Sequence, residues 1–247
     1  MAEVKGSIEV IVLKQDKLQE ELSSHLDKLV LQSATEAIQA RGVFTIGLSG
    51  GSLIKALSEV LKVKSADIKW DNWRVFFCDE RHVPLDDEAS TYGEYKKALF
   101  DHVPLPDKNI FRIDPTTELE VAAKGYRDKL ESVFGKNLPE FDLLLLGMGP
   151  DGHTCSLFPQ HQGLDESKEW IIPITNSPKP PPNRITMTYP VLNNSKHTAI
   201  VTTGSSKADA LKRCIKPDKP DDVLPAGLVK AKLVSWLVDE AAYSACK

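Results

Sequence analysis

At 247 residues, with 41% hydrophobic and 27% charged side chains, the chain has the make-up of an ordinary folded α/β protein, which excludes disorder. A net charge of −4 sets up no global positive field, so nucleic acid and anionic membrane are not expected as partners, and an anionic ligand would need a locally positive site. Cys78, Cys155, Cys214 and Cys246 are widely scattered and form no C-x-x-C pair, which suits free thiols in a reducing compartment better than a disulfide framework or a zinc site.

Residues 1–15 lack a basic leader followed by an apolar run and are not a transit pattern. The first strand is predicted at 8–13, which is apolar and β-branched. Over 16–41, Leu18, Leu22, Leu26, Leu29 and Val30 form a helical stripe. A strand at 43–48 leads to a helix at 53–61, with Leu53, Leu57, Val60 and Leu61 on one face. A strand at 73–78, a polar loop and a helix over 91–100 follow, then a short strand at 110–113 and a helix over 118–134. The run at 141–146 hardly alternates and reads as a central strand buried on both faces; it is far too short to span a bilayer.

Residues 147–183 read as a long irregular region with one short strand at 171–174, and loops of this length are usually functional. Its proline-dense end, 177–183, reads as a stiff extended loop rather than a docking peptide. Strands are predicted at 185–188, 198–202 and 233–237, with a helix at 207–214. Strands alternating with helices imply a mostly parallel α/β sheet covered on both faces. No repeat and no Gly- or Ser-rich linker divides the sequence, so one domain over 1–247 is expected.

In such sheets ligands collect outside the carboxyl ends of the strands. Four segments lie there. Ser49-Gly50-Gly51-Ser52, between strand and helix, is either a phosphate cradle at a helix N-terminus or a tight turn capped by Ser52. Gly47-Leu48-Ser49-Gly50-Gly51 also satisfies the G-x-S-x-G elbow, which makes Ser49 a rival nucleophile, although only one strand precedes it. Asp79-Glu80-Arg81-His82 places four ionisable groups at a strand end, as an ion-pair network or a site. Gly147-Met148-Gly149-Pro150-Asp151-Gly152-His153 fits G-x-G-x-x-G, but Pro159 and the lack of periodicity deny it the helix a dinucleotide fingerprint requires. What remains is a rigid loop presenting Asp151 and His153, a base that works near neutral pH with a carboxylate beside it. Arg184 and Lys207, each unremarkable alone, are together candidates for neutralising a phosphate dianion. His82, His102, His153, His161 and His197 show no metal-ligand spacing, so neither metal nor cofactor is expected.

With these segments in order, the sequence resembles the 6-phosphogluconolactonases over nearly its whole length. The resemblance rests on Ser49-Gly50-Gly51, Asp79-Glu80-Arg81, the run Gly149-Pro150-Asp151-Gly152-His153-Thr154-Cys155-Ser156-Leu157-Phe158-Pro159, Arg184 and Gly204-x-x-Lys207-Ala208. It implies a Rossmann-like, doubly wound fold shared with glucosamine-6-phosphate deaminases, one type of ribose-5-phosphate isomerase and coenzyme A transferases. It also implies hydrolysis of 6-phospho-D-glucono-1,5-lactone, the second step of the oxidative pentose phosphate pathway. The deaminases follow their Asp-Gly-His with Asn-Glu-Pro, whereas this chain has Ser156-Leu157-Phe158-Pro159 and no acid there. Repressor effector domains of the same fold carry an N-terminal helix-turn-helix, for which residues 1–13 leave no room.

The expected mechanism has neutral His153, oriented by Asp151, activating water against the lactone carbonyl. The phosphate would rest on Gly50, Gly51, Ser52, Arg184 and Lys207. Asp79 and Arg81 complete the substrate site, with Arg81 either touching substrate or bracing Asp79. The alternatives are a serine hydrolase using Ser49 and a non-catalytic sugar-phosphate-binding module. The expected partner is a small phosphorylated lactone, in the cytoplasm, bound by a monomer or, alternatively, a weak dimer.

Overall fold

A strand with both faces buried has no reason to alternate polar and apolar residues, and the run of leucines at 143–146 sits at the centre of the sheet for that reason. The computed structural model describes residues 6–247. In chain order these run β1 (Ser7–Leu13), α1 (Leu18–Arg41), β2 (Phe44–Leu48), α2 (Ser52–Val63), β3 (Trp73–Phe77), β4 (Asp79–Arg81), α3 (Thr91–Ala98) and β5 (Ile110–Phe111). They continue as α4 (Leu119–Phe134), β6 (Leu143–Gly147), β7 (Ile171–Ile174), β8 (Arg184–Met187), α5 (Tyr189–Asn193), β9 (His197–Thr202), α6 (Ala208–Ile215) and β10 (Leu233–Asp239).

The main sheet has seven strands in the order β1-β10-β9-β6-β2-β3-β5, every neighbouring pair parallel. From β2 the chain winds outward through β3 to β5; from β6 it winds the other way through β9 to β10. The winding direction therefore reverses between β2 and β6, and the crevice beyond their carboxyl ends is where such sheets bind ligands.

Side chains on the two faces build two cores. Leu143 and Leu145 join Phe44, Ile46, Val75 and Phe77 under α1, α2 and α3. Leu144 and Leu146 join Phe76, Ile200 and Trp236 on the opposite face, under α4 and α6. The period-two geometry of a strand splits one continuous leucine run between both cores. Full burial of each leucine stabilises the fold by about 1.5–3 kcal/mol. The sheet is thus doubly wound and covered on both faces, as expected.

Three departures from expectation have physical causes. The polar stretch after β3 contains β4, which pairs antiparallel with β8, itself paired antiparallel with β7, in a separate three-stranded sheet. The helix expected at 91–100 stops at Ala98, after Ser90 caps its start by accepting from the Gly93 N–H at 3.0 Å. The short helix α5 was not among the expected elements; its Pro190 lies in the first turn, where the helix needs no N–H from it.

Candidate active site

At the reversal point, the ends of β2 and β6 open into a cleft of about 430 Å³ lined by residues of Ser49–Ser52, β4, the loop after β6, Arg184 and Lys207. Of the residues singled out in the sequence, Gly50, Gly51, Ser52, Asp79, Arg81, His153, Arg184 and Lys207 all line it, and Asp151 stands directly behind His153.

The turn after β2 is held from behind. The Ser49 N–H donates to the Leu145 carbonyl at 3.0 Å, and the Tyr95 hydroxyl donates to the Ser49 carbonyl at 3.0 Å. Gly51 has φ of +79°, a conformation that costs a side-chain-bearing residue energy, and it delivers the chain into α2 with no side-chain cap. The first N–H groups of α2 are left for whatever occupies the cleft. Ser49 itself is a poor nucleophile here. Its hydroxyl is buried without a hydrogen-bond partner, so no base activates it, and its φ is not in the left-handed region.

β4 resolves the ambiguity of its charged tetrad by alternation. Asp79 and Arg81 share the cleft side, while Glu80 points away and is fully buried. The Glu80 carboxylate accepts from the backbone N–H groups of Arg81, Thr91 and Tyr92 at 2.7–2.8 Å, bracing the start of α3. Burial pushes its pKa up, against the downward pull of those three N–H groups. His82 turns to the Thr117 carbonyl at 2.8 Å. Asp79 Oδ2 accepts from the Ser156 hydroxyl at 2.7 Å. Arg81 Nη1 donates to the Ala89 carbonyl at 2.7 Å, and its Nε is buried with no partner. The residue lines the cleft, and that buried N–H is a donor still without an acceptor.

The loop after β6 is built around the histidine. The Gly149 N–H donates to the His153 carbonyl at 2.9 Å, folding the loop back on itself. A Cβ at position 149 would lie 2.1 Å from the imidazole ring, so the residue there must be glycine for the ring to occupy this place. Phe158 packs against the same ring, with centroids 4.6 Å apart.

His153 Nδ1 lies 2.5 Å from Asp151 Oδ1. A carboxylate in that position accepts from Nδ1–H and leaves Nε2 as the basic nitrogen. Burial lowers the His153 pKa below the ordinary imidazole value; Asp151 opposes the fall and the Lys179 ammonium adds to it. The ring is therefore neutral at neutral pH. For Asp151, burial acts upward, but hydrogen bonds from His153 and Lys179 outweigh it and hold the carboxyl at about 2.

Arg184 is almost fully buried, and most of its guanidinium is committed. Nε donates to the Pro181 carbonyl at 3.0 Å, and Nη2 donates to the Lys179 and Pro180 carbonyls at 2.9 and 3.0 Å. Nη1, 3.5 Å from the Ser156 hydroxyl, remains the most available group. Lys207 ends a short turn before α6 and donates to the Met148 carbonyl; burial lowers its pKa, Lys179 adds to this and Asp151 opposes it. Among the described residues no three His, Cys, Asp or Glu side chains converge as a metal ion would require.

Sequence reasoning missed Lys179. Its ammonium reaches Asp151 Oδ1 at 3.1 Å from the proline-dense loop. The signal available was a lysine set among prolines just ahead of Arg184, in a segment too stiff to be a passive linker.

A doubly wound sheet with a glycine turn, three cations and a carboxylate-paired histidine at its reversal point defines a class: Rossmann-like α/β proteins with a site suited to an anionic ligand. A model of the family described as glucosamine-6-phosphate isomerases/6-phosphogluconolactonase matches residues 17–237, and the chain belongs to that family. It is 44% identical to the 6-phosphogluconolactonase of Rattus norvegicus over 90% of this chain and 89% of that protein. It is 40% identical to 6-phosphogluconolactonase 3, chloroplastic, of Arabidopsis thaliana, over 92% of this chain and 73% of the plant protein. The crystal structure of 6-phosphogluconolactonase from Leishmania guyanensis matches with a TM-score of 0.82 at 25% identity, covering 96% of this chain and 97% of that one.

Proposed function

We propose that this protein hydrolyses 6-phospho-D-glucono-1,5-lactone to 6-phospho-D-gluconate, with a water activated by His153 as nucleophile. Family membership and the rat relative's name support the substrate; the neutral, Asp151-paired imidazole in the cleft carries the chemistry. His153 Nε2 has no protein partner among the described residues and takes the proton of the attacking water. Positive charge then develops on the ring and is stabilised by Asp151, which stays ionised.

The tetrahedral oxyanion needs a donor. The Gly149 N–H is spent within the loop and Pro150 has none, so the guanidinium of Arg81, which lines the cleft, is the best candidate. Collapse of the intermediate breaks the bond to the ring oxygen, which leaves as a hydroxyl with the proton that His153 took from the water. General-base assistance of about 10²–10⁴-fold is enough for a reactive six-membered lactone. Asp79, with Oδ2 taken by Ser156, offers Oδ1 to a sugar hydroxyl.

At the far end the phosphate rests on the Gly50–Gly51–Ser52 backbone and the start of α2, facing Arg184 Nη1 and Lys207. These contacts persist through the reaction, so they set affinity and register rather than the rate of bond making. The protein works in the cytoplasm on this reading, in keeping with four free, buried thiols, although the Arabidopsis relative is named as chloroplastic. No described helix is long and apolar enough to cross a membrane.

The test is hydrolysis of freshly generated lactone, compared with its spontaneous rate and repeated with EDTA. Acceleration that survives the chelator is expected. Tight binding of 6-phosphogluconate without turnover would instead mark a sensor module.

A further inference from the structure

We infer that Lys179 is a positioning residue for the proposed reaction: it clamps the Asp151–His153 pair in its working geometry and links that pair to Arg184. The inference rests on the lactonase reading and assigns a role to a residue that is neither the base nor part of the phosphate cradle.

The local sequence prepares the lysine for this task. Ser177-Pro178-Lys179-Pro180-Pro181-Pro182 fixes φ at four of its six residues, leaving little backbone freedom to lose. The Ser177 N–H donates to the Pro182 carbonyl at 2.9 Å, and its hydroxyl donates to the Lys179 carbonyl at 2.9 Å. From the other side, the Arg184 guanidinium holds the Lys179, Pro180 and Pro181 carbonyls together. A long, flexible side chain is thereby launched from a rigid base.

Its ammonium then meets two groups at once. Nζ donates to Asp151 Oδ1 at 3.1 Å and lies 3.2 Å from His153 Nδ1. One carboxylate oxygen thus holds both the imidazole and the ammonium, which fixes the Asp151 side chain and, through it, the rotation of the ring. The lysine side chain is 37% exposed, so its field is partly screened but not erased. Solvation alone does not account for a lysine directed inward from a stiff loop onto a carboxylate already paired with histidine.

The charges facing His153 come from several elements. Asp151 lies on its own loop, Lys179 on the proline loop, Asp79 and Arg81 on β4, Arg184 on β8 and Lys207 before α6. Of the cations, Lys179 is the one in direct contact with the pair. Its removal leaves Asp151 unopposed, which favours the imidazolium; the titration of His153 moves up and the acid limb of the rate profile moves with it. The guanidinium that binds the substrate's phosphate also anchors this loop, so the two ends of the cleft are mechanically joined at Arg184.

The experiment follows the His153 ring by NMR titration in the ligand-free protein, beside lactone kinetics across pH, for wild type, Lys179→Met and Lys179→Arg. In Lys179→Met the His153 midpoint rises, and kcat at about pH 6 falls about tenfold while KM changes less than about threefold. Lys179→Arg restores both. An unmoved His153 midpoint in Lys179→Met overturns the clamp, and so does a rise in KM with kcat untouched, which would make the lysine a substrate contact. Failure of the lactonase reading looks different: wild type would show no turnover while the histidine midpoint still moves.

Discussion

The two strand ends that meet at the reversal point do their work with different parts of the chain. After β2, the groups on offer are backbone N–H groups at a glycine turn and helix start, set by φ angles and by the hydrogen bonds of Ser49 to the Leu145 carbonyl and from the Tyr95 hydroxyl. After β6, function falls to one ring nitrogen, kept in place by Asp151, Phe158 and the absence of a Cβ at Gly149. A backbone cradle tolerates side-chain change and holds its ligand equally before and during reaction. A single positioned base does not, and a shift of about 1 Å costs about 10²-fold. The β2 end should therefore speak through KM and the β6 end through kcat.

His153→Ala is the strongest way to break that division. It should lower kcat about 10²–10⁴-fold while KM changes little, as measured by steady-state lactone hydrolysis with the spontaneous rate subtracted. A rise in KM of similar size would put the histidine in the cradle instead. Arg184→Ala should do the reverse, raising KM about tenfold or more, in line with the loss of a charge-assisted hydrogen bond. Its kcat should fall less, through loosening of the loop that carries Lys179; a larger fall in kcat than rise in KM would move Arg184 into the chemistry.

The smallest effect is the pH dependence of the wild type. The base must be unprotonated, and burial holds the His153 pKa below the ordinary imidazole value. Activity should thus be complete at neutral pH and decline only as pH falls through that depressed value. A limb centred above 6.5, the unperturbed histidine value, would mean that the ring is more exposed or less tightly held than described.

Much of this could be read in the sequence because it depends on local chemistry. A run without alternation that is too short for a helix reads as a strand buried on both faces, and Leu143 to Leu146 follow that pattern. The glycine turn and the Asp151–His153 spacing are likewise local. The tetrad at 79–82 was ambiguous because its outcome depends on which strand it joins. Pairing with β8, more than a hundred residues away, turns Asp79 and Arg81 to the cleft and Glu80 to the buried side beneath the start of α3. Two strands of the second sheet, at 171–174 and 185–188, were legible as strands, but the third, β4, was not, since its partner β8 lies so far along the chain. Lys179 was missed because a lysine among prolines looks like a solvated charge until β8 brings it back across the cleft.

The division of labour is tested most directly by a crystal structure with 6-phospho-D-gluconate bound. The carboxylate, standing where the lactone carbonyl was, should lie within hydrogen-bond reach of His153 Nε2, about 2.6–3.2 Å, or one water away. The phosphate should rest against the Gly50 and Gly51 N–H groups and Arg184 Nη1. A product bound the other way round, with its phosphate on His153 and its carboxylate on the glycine turn, would contradict both assignments.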